Sequence, residues 1–255
     1  MSVSVGRIEA NLAGQTALVT GATGLGAHFA KVLAKAGASV IVGARRATTL
    51  AQLEAEILAD GGQCSTISLD VTSADSVAAA ADAVSNVDIL VNNAGIARER
   101  SLLDMSEEDW DAVVDTNAKG IFLMTQLIGR AMIARGAHGS IINIASILGL
   151  RQGAMVSSYA TSKAAAIQLT KVSALELARY GIRVNAIAPG YFGTDMNVEF
   201  FNSEAGAAAI KRIPQRRLGD LKDLDGPLLL LASQSSAFMT GSVIEVDGGH
   251  MVSTL

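Results

Sequence analysis

One cysteine among 255 residues leaves no partner for an intrachain disulfide. Cys64 also has no neighbouring side chains of ligand type, so no metal site is expected, and it reads as a small buried residue. Aromatic residues make up only 4% of the chain, so its core must be built mainly from Ala, Val, Ile and Leu. Charged residues are few at 17%, the formal net charge is -4, and no long basic run occurs. Nucleic acid is therefore excluded as a partner, because binding it needs clustered Lys and Arg. No apolar run approaches the ~20 residues of a membrane span. The opening stretch MSVSVGRIEANLAG lacks the continuous apolar segment of a signal peptide. These absences predict a cytoplasmic protein with no membrane contact.

What is present is apolar: half of the residues are hydrophobic. A chain of this length suits one α/β domain, 1–255, with a large core. So few polar side chains remain for the surface that some apolar helix faces are expected to lie between subunits. Short β-branched runs alternate with longer Ala- and Leu-rich segments. Strands are expected at Thr16–Thr20, Ser39–Val42, Ser65–Leu69, Ile89–Val91, Ser140–Ile144, Arg183–Ile187 and Val243–Val246. Helices are expected at Ala27–Ala36, from about Thr48 to Ala59, through the Ala-rich segment to Val84, and at Tyr159–Tyr180. Glu107–Arg135 reads as one long helix or two joined ones. Apolar strands alternating with helices predict a doubly wound parallel sheet of seven strands with helices on both faces. Gly193–Arg217 has no clear place in this pattern and is expected to form a mobile flap.

The turn after the first strand reads TGATGLG, with Gly21, Gly24 and Gly26 where a strand hands over to a helix. Glycines there let the backbone approach a pyrophosphate, and the helix N-terminus offers free N–H groups and a positive dipole end. The same glycines are also a simple way to build a tight corner. At the end of the second strand, where dinucleotide folds place an acidic residue on the ribose, this chain has Ala44, Arg45 and Arg46. A guanidinium pairs with a 2′-phosphate through two charge-assisted bonds, which favours NADPH over NADH. Solvated loop arginines are the other reading.

Tyr159 and Lys163 lie four apart in a helical segment, so both project from one face. A phenol titrates near ~10. A neighbouring ammonium favours the phenolate and lowers that value, bringing tyrosine into the range of a general acid and base.

Around this pair, motifs follow one another in order: TGATGLG, NNAG at Asn92–Gly95, Asn117 in DTNAKG, Ser146 in IINIASILG, YATSK at Tyr159–Lys163, PGYFGT at Pro189–Thr194, and MTGSVIEVDGG at Met239–Gly249. The series resembles the short-chain dehydrogenase/reductase family over nearly the whole chain. The resemblance implies that Tyr159 protonates a substrate carbonyl oxygen that Ser146 polarises. Lys163 would hold the nicotinamide ribose and depress the Tyr159 pKa, and Asn117 would hold a proton-relaying water. It implies cofactor contacts from Gly21, Thr23, Gly24, Leu25, Gly26, Asp70, Val71, Asn93, Ala94, Gly95, Pro189, Gly190 and Thr194, besides the arginines above. Each residue taken singly has a structural reading: Ser146 as a strand-end cap, Asn117 as a partner for backbone groups, NNAG as a turn.

Two departures from the family pattern stand out. The glycine turn is one residue shorter than the usual TGxxxGxG, which bears on NADP against NAD. The stretch Thr72–Val87 is about one helical turn short, on the outer face. The substrate is expected beside Tyr159, within reach of Ser146, Ile147, Leu148, Gln152, Met155, Tyr191 and Phe192, with Met196, Val198, Phe200 and Phe201 from the flap. That set suggests a moderately hydrophobic ketone or its alcohol. Arg98 and Arg100 on the rim would attract an anionic substrate such as an acyl thioester, unless they are simply solvated. The resemblance also implies a homotetramer joined through the two long helices. The competing readings are an NAD-linked alcohol or steroid dehydrogenase, a 3-oxoacyl-thioester reductase, and a nucleotide-binding sensor without turnover. A sensor has no need of the Tyr–Lys pair.

Overall fold

The computed structural model describes residues 10–193 and 201–253. Seven parallel strands form one sheet: β1 Thr16–Thr20, β2 Ser39–Ala44, β3 Gln63–Ser68, β4 Ile89–Asn92, β5 Gly139–Ile144, β6 Ile182–Pro189 and β7 Val243–Val246. Their order is β3-β2-β1-β4-β5-β6-β7. The expected doubly wound sheet is therefore present, and its order reverses between β1 and β4. In such sheets the crevice at the carboxyl ends of these two strands is where ligands bind.

The strands read as continuous apolar runs because both faces are covered. Ala17 and Val19 of β1 join one core cluster, with Phe29, Leu33, Leu228 and Leu231. Leu18 between them joins the opposite cluster, with Leu90, Met124, Ile128 and Met132. The two-residue period of the strand thus distributes one apolar run between two cores.

The helices are α1 Leu25–Lys35, α2 Ala47–Ala59, α3 Ala74–Ala79, α4 Glu107–Val114, α5 Gly120–Ala134, α6 Ser157–Leu177, α7 Glu204–Arg212 and α8 Asp225–Ala232. The long segment 107–135 is two helices joined through a single wide turn, Asp115–Lys119, where the Gly120 N–H reaches back to the Asp115 carbonyl. Such wider turns gather at functional sites. A methyl group on Gly120 would lie 2.9 Å from Val71 Cγ2, so this junction packs directly against the loop after β3.

Three expectations need correction. The helix expected to run to Val84 ends at Ala79, held at its start by the Ser73 hydroxyl, and the chain continues as turns. Cys64 is half-buried on the edge strand β3, because β3 has a neighbour on one side only. Burial there pushes its thiol up to about 11, with Glu54 adding to the effect. The flap is not structureless over its described part: Ser203 caps α7, and Pro214 follows its end. Thr194, Met196, Val198 and Phe200 lie outside the described residues.

Candidate active site

The crevice is built first by β1 and β4. The buried Thr20 hydroxyl accepts from the backbone N–H groups of Asn93 and Ala94, at 3.0 and 3.1 Å, and so fastens the NNAG turn to the end of β1. The Asn93 amide donates to the Thr20 carbonyl at 3.0 Å. Its nitrogen then fills the space beside the glycine turn: a Cβ on Gly26 would lie 2.5 Å from it and 2.2 Å from the Gly21 carbonyl oxygen. Gly21 has φ 91, the left-handed region that favours glycine. The glycines are thus fixed by local steric need. Thr23 and Gly24 form the tip, and Leu25 begins α1. That helix has no side-chain cap and no acidic residue in its first turn. Its first N–H groups and dipole are open to an anion, as a dinucleotide pyrophosphate requires.

Arg45 and Arg46, just past the end of β2, are exposed, and among the described residues neither side chain makes a hydrogen bond or a salt bridge. Asp70, at the end of β3, accepts from the Thr72 hydroxyl at 2.7 Å and the Thr72 N–H at 3.0 Å. Burial raises its pKa, but these bonds and the Arg45 charge outweigh that and hold it below the ordinary carboxylate range. Val71 is buried against Gly120.

The second half of the crevice comes from β5 and α6. Ser146 lies two residues past the end of β5 and caps the short turn Ile147–Gly149, accepting from the Leu148 N–H at 3.1 Å. It is both a strand-end cap and a hydrogen-bonding neighbour of Tyr159. Tyr159 and Lys163 share the face of α6 that meets this turn, with Lys163 Nζ 5.6 Å from the Tyr159 ring centre. Lys163 is 4% exposed, and its ammonium donates to the Ile144 carbonyl at 2.7 Å. Burial lowers its pKa to about 8.

In this arrangement the Lys163 ammonium is directed at the Ile144 carbonyl and stands 5.6 Å from the centre of the Tyr159 ring. Burial pushes the Tyr159 pKa up, and hydrogen bonding with Ser146 opposes it only in part. Removing charge from water costs more than the bond returns, and the ammonium is turned toward Ile144.

Asn117 is fully buried in the wide turn between α4 and α5. Its side chain pairs with both main-chain groups of Ile96, accepting at 2.8 Å and donating at 2.9 Å. It also donates to the Ser162 hydroxyl at 3.0 Å, which in turn donates to the Tyr159 carbonyl at 2.7 Å. The side chain is thus braced by protein groups on both sides of the crevice. Gly95 marks where the parts meet: a Cβ there would lie 3.2 Å from Asn117 Oδ1 and 3.6 Å from Lys163 Nζ.

Pro189 is buried at the end of β6, and Gly190 packs on Asp247, where a Cβ would lie 2.8 Å away. Tyr191 lies between the rings of Phe201 and His250, at centroid distances of 5.4 and 5.3 Å. Three residues expected to line the substrate space are largely buried. Ile147 is 2% exposed. Phe192 belongs to the core and presses on Gly219, and Phe201 packs on Tyr191. Leu148 is partly buried, while Gln152 and Met155 are exposed. Arg98 and Arg100 both turn to Asp109, at 3.3 and 4.0 Å, so one carboxylate offsets part of the rim charge.

Sequence reasoning missed Thr20, Ser162, Arg151 and His250. The last two meet across 99 positions, with Arg151 Nη1 donating to the His250 carbonyl at 2.5 Å. No spacing signal announces such a contact.

The sheet order, the glycine turn beneath an open helix end and the Ser–Tyr–Lys cluster at one crevice define a nucleotide-linked dehydrogenase architecture. The model of the family described as short chain dehydrogenase matches residues 15–205, and the chain belongs to that family. It is 41% identical over 246 residues to 2-dehydro-3-deoxy-D-gluconate 5-dehydrogenase of Bacillus subtilis, covering 94% of this chain and 96% of that one. It is 39% identical over 244 residues to 3-oxoacyl-(acyl-carrier-protein) reductase of Vibrio cholerae, covering 94% and 98%. A gluconate 5-dehydrogenase from Burkholderia cenocepacia, crystallised with NADP and tartrate, superposes with a TM-score of 0.92 at 37% identity, covering 96% and 98%.

Proposed function

We propose that the chain is an NADP(H)-dependent oxidoreductase interconverting a ketone and its secondary alcohol. The carrying observation is the convergence of Ser146, Tyr159 and Lys163 on one crevice, opposite a glycine turn whose helix end is open to phosphate. Gly21, Thr23, Gly24, Leu25 and Gly26 hold the pyrophosphate. Arg45, with Arg46 beside it, pairs with the 2′-phosphate. Asp70 and Val71 border the adenine, Asn93, Ala94 and Gly95 the adenosine, and Pro189, Gly190 and Thr194 the nicotinamide. Bound NADPH supplies the hydride.

In the reductive direction Ser146 donates to the carbonyl oxygen, and Tyr159 gives that oxygen its proton. Lys163 holds the nicotinamide ribose from its seat on Ile144. Asn117 and Ser162 fix the first turn of α6, and with it the phenol. Ser146, Leu148, Gln152, Tyr159, Tyr191 and Met196 border the substrate. This lining mixes apolar and polar side chains, which suits a moderately hydrophobic ketone.

A ketone panel followed by nicotinamide absorbance, with NADPH and NADH in parallel, tests this reading. Turnover with NADPH preferred is expected; no oxidation of NADPH by any ketone would overturn it. Similarity to the Vibrio cholerae reductase supports a second reading, a 3-oxoacyl-thioester reductase, which acetoacetyl-CoA in the same assay would reveal. Phe122 and Ile133 on α5, with Val172 and Leu175 on α6, expose apolar surface. Copies of this chain cover these faces in a homotetramer, which sedimentation at micromolar concentration checks.

A further inference from the structure

This inference rests on the reading of the crevice above and concerns the substrate it accepts. The loops after β5, β6 and β7 leave neighbouring strands at the same end of the sheet. They bring Arg151, Tyr191 and the turn around His250 together: Arg151 Nη1 donates to the His250 carbonyl at 2.5 Å, and the His250 ring lies 5.3 Å from that of Tyr191. Arg151 is five residues beyond Ser146, in a segment folded back so that its N–H donates to the Ile147 carbonyl at 2.9 Å. It therefore lies on the loop that carries Ser146, at the carboxyl end of the sheet.

Arg151 differs from the other partly buried arginines. Arg135 pairs with Asp88. Arg183 donates to Ser236 and to the carbonyls of Leu231 and Ser233, closing the end of α8. Arg151 makes a single hydrogen bond, to a neutral carbonyl, and among the described residues no carboxylate pairs with it. A guanidinium has five N–H donors in a fixed fork, so most of its donors remain for another group.

The acid nearest this cluster is Asp247. Its two oxygens are taken by the N–H groups of Gly249 and Met251, at 2.8 and 2.6 Å. Arg212, at the end of α7, adds a second positive charge acting on His250, with Arg151. His250 is itself 8% exposed, and its Nδ1 is buried with no hydrogen-bond partner. Two cations and the one Asp247 carboxylate leave this group with a net positive charge, and one polar atom in it is orphaned. Partly buried cations are normally compensated; Asp247 offsets one of the two charges, and among the described residues no carboxylate pairs with Arg151 itself.

We infer that this cluster receives a carboxylate of the substrate. The enzyme then acts on an oxo acid or its hydroxy acid, with the carboxylate forked by Arg151 while the carbonyl reaches Ser146 and Tyr159.

The test compares 4-oxopentanoate with its methyl ester, which have the same ketone and differ in charge. Binding of each to the NADPH-loaded protein is measured by calorimetry, and each is also assayed as a substrate. The acid is expected to bind about ten-fold or more tightly than the ester, as one charge-assisted pair allows. Arg151→Gln should bring the two within about two-fold by weakening the acid alone, and Arg151→Lys should keep part of the preference. Equal binding of acid and ester to the wild type would overturn the inference, as would a preference that survives in folded Arg151→Gln. If that variant does not fold, Arg212→Gln, which alters an exposed charge, should still narrow the preference, and an unchanged ratio counts against the inference. Failure of every ketone to be turned over would instead fault the enzyme reading, and calorimetry would still report the charge preference.

Discussion

The Lys163 ammonium donates to the main-chain carbonyl of Ile144, 2.7 Å away, and not to the phenol one turn earlier on its own helix. The cation is thereby fixed to the end of β5, buried, with its charge held in a place that disfavours it.

That burial has a pH signature. Lys163 titrates at about 8 in the folded chain, against the ordinary 10.5. Between these values the unfolded chain binds the proton more tightly, so stability rises with pH through that window. Below about 8 both states are charged and the burial penalty is fully present. The melting temperature of Lys163→Met, relative to wild type, should therefore be more favourable at pH 7 than at pH 10. A difference independent of pH would show that the ammonium is not penalised.

Tyr159→Phe removes the proton donor and little volume. Turnover should fall by roughly 10²–10⁴-fold. NADPH affinity and melting temperature should change little. Calorimetry with NADPH and a ketone assay on one preparation check both halves.

Gly26→Ala places a methyl group 2.2 Å from a main-chain oxygen and 2.5 Å from the Asn93 amide. The oxygen belongs to the main chain, and the amide, the end of a side chain, is held by the Thr20 carbonyl. The change should cost about 3 kcal/mol or more, the upper range for overpacking, and weaken nucleotide binding together with stability. Denaturant melts and NADPH titration measure the two effects.

Arg45→Gln should raise the KM for NADPH by about ten-fold or more, the worth of a charge-assisted pair, and leave that for NADH nearly unchanged. Equal effects on both cofactors would place the 2′-phosphate elsewhere, with Arg46 the next residue to replace. The shortened glycine turn makes this measurement informative, since the missing residue falls beside the adenosine ribose.

Much of the architecture was legible in the linear chain. Strands buried on both faces must be apolar throughout, so TALVT and SIINI declare themselves. A turn with Gly26 blocked by main chain and Gly21 and Gly24 at positive φ strongly favours glycine, so TGATGLG does too. YATSK is readable because four residues make about one helical turn. The outer helix α3 was misjudged because an Ala-rich run favours helix wherever it occurs, and its end at Ala79 depends on what packs beside it.

The chain's own order of residues determined which chemistry is possible here: a phenol, a lysine and a serine at spacings that local geometry makes meaningful. The tertiary structure decided how those groups are set. It turned Lys163 to Ile144, occupied Asn117 with Ile96 and Ser162, drew Ile147 and Phe192 into the interior, and brought Arg151 to His250 across 99 positions. The reason is range. Helical and strand periodicity act over a few residues and leave a mark in sequence, whereas desolvation and long-range contacts exist only once distant segments have packed.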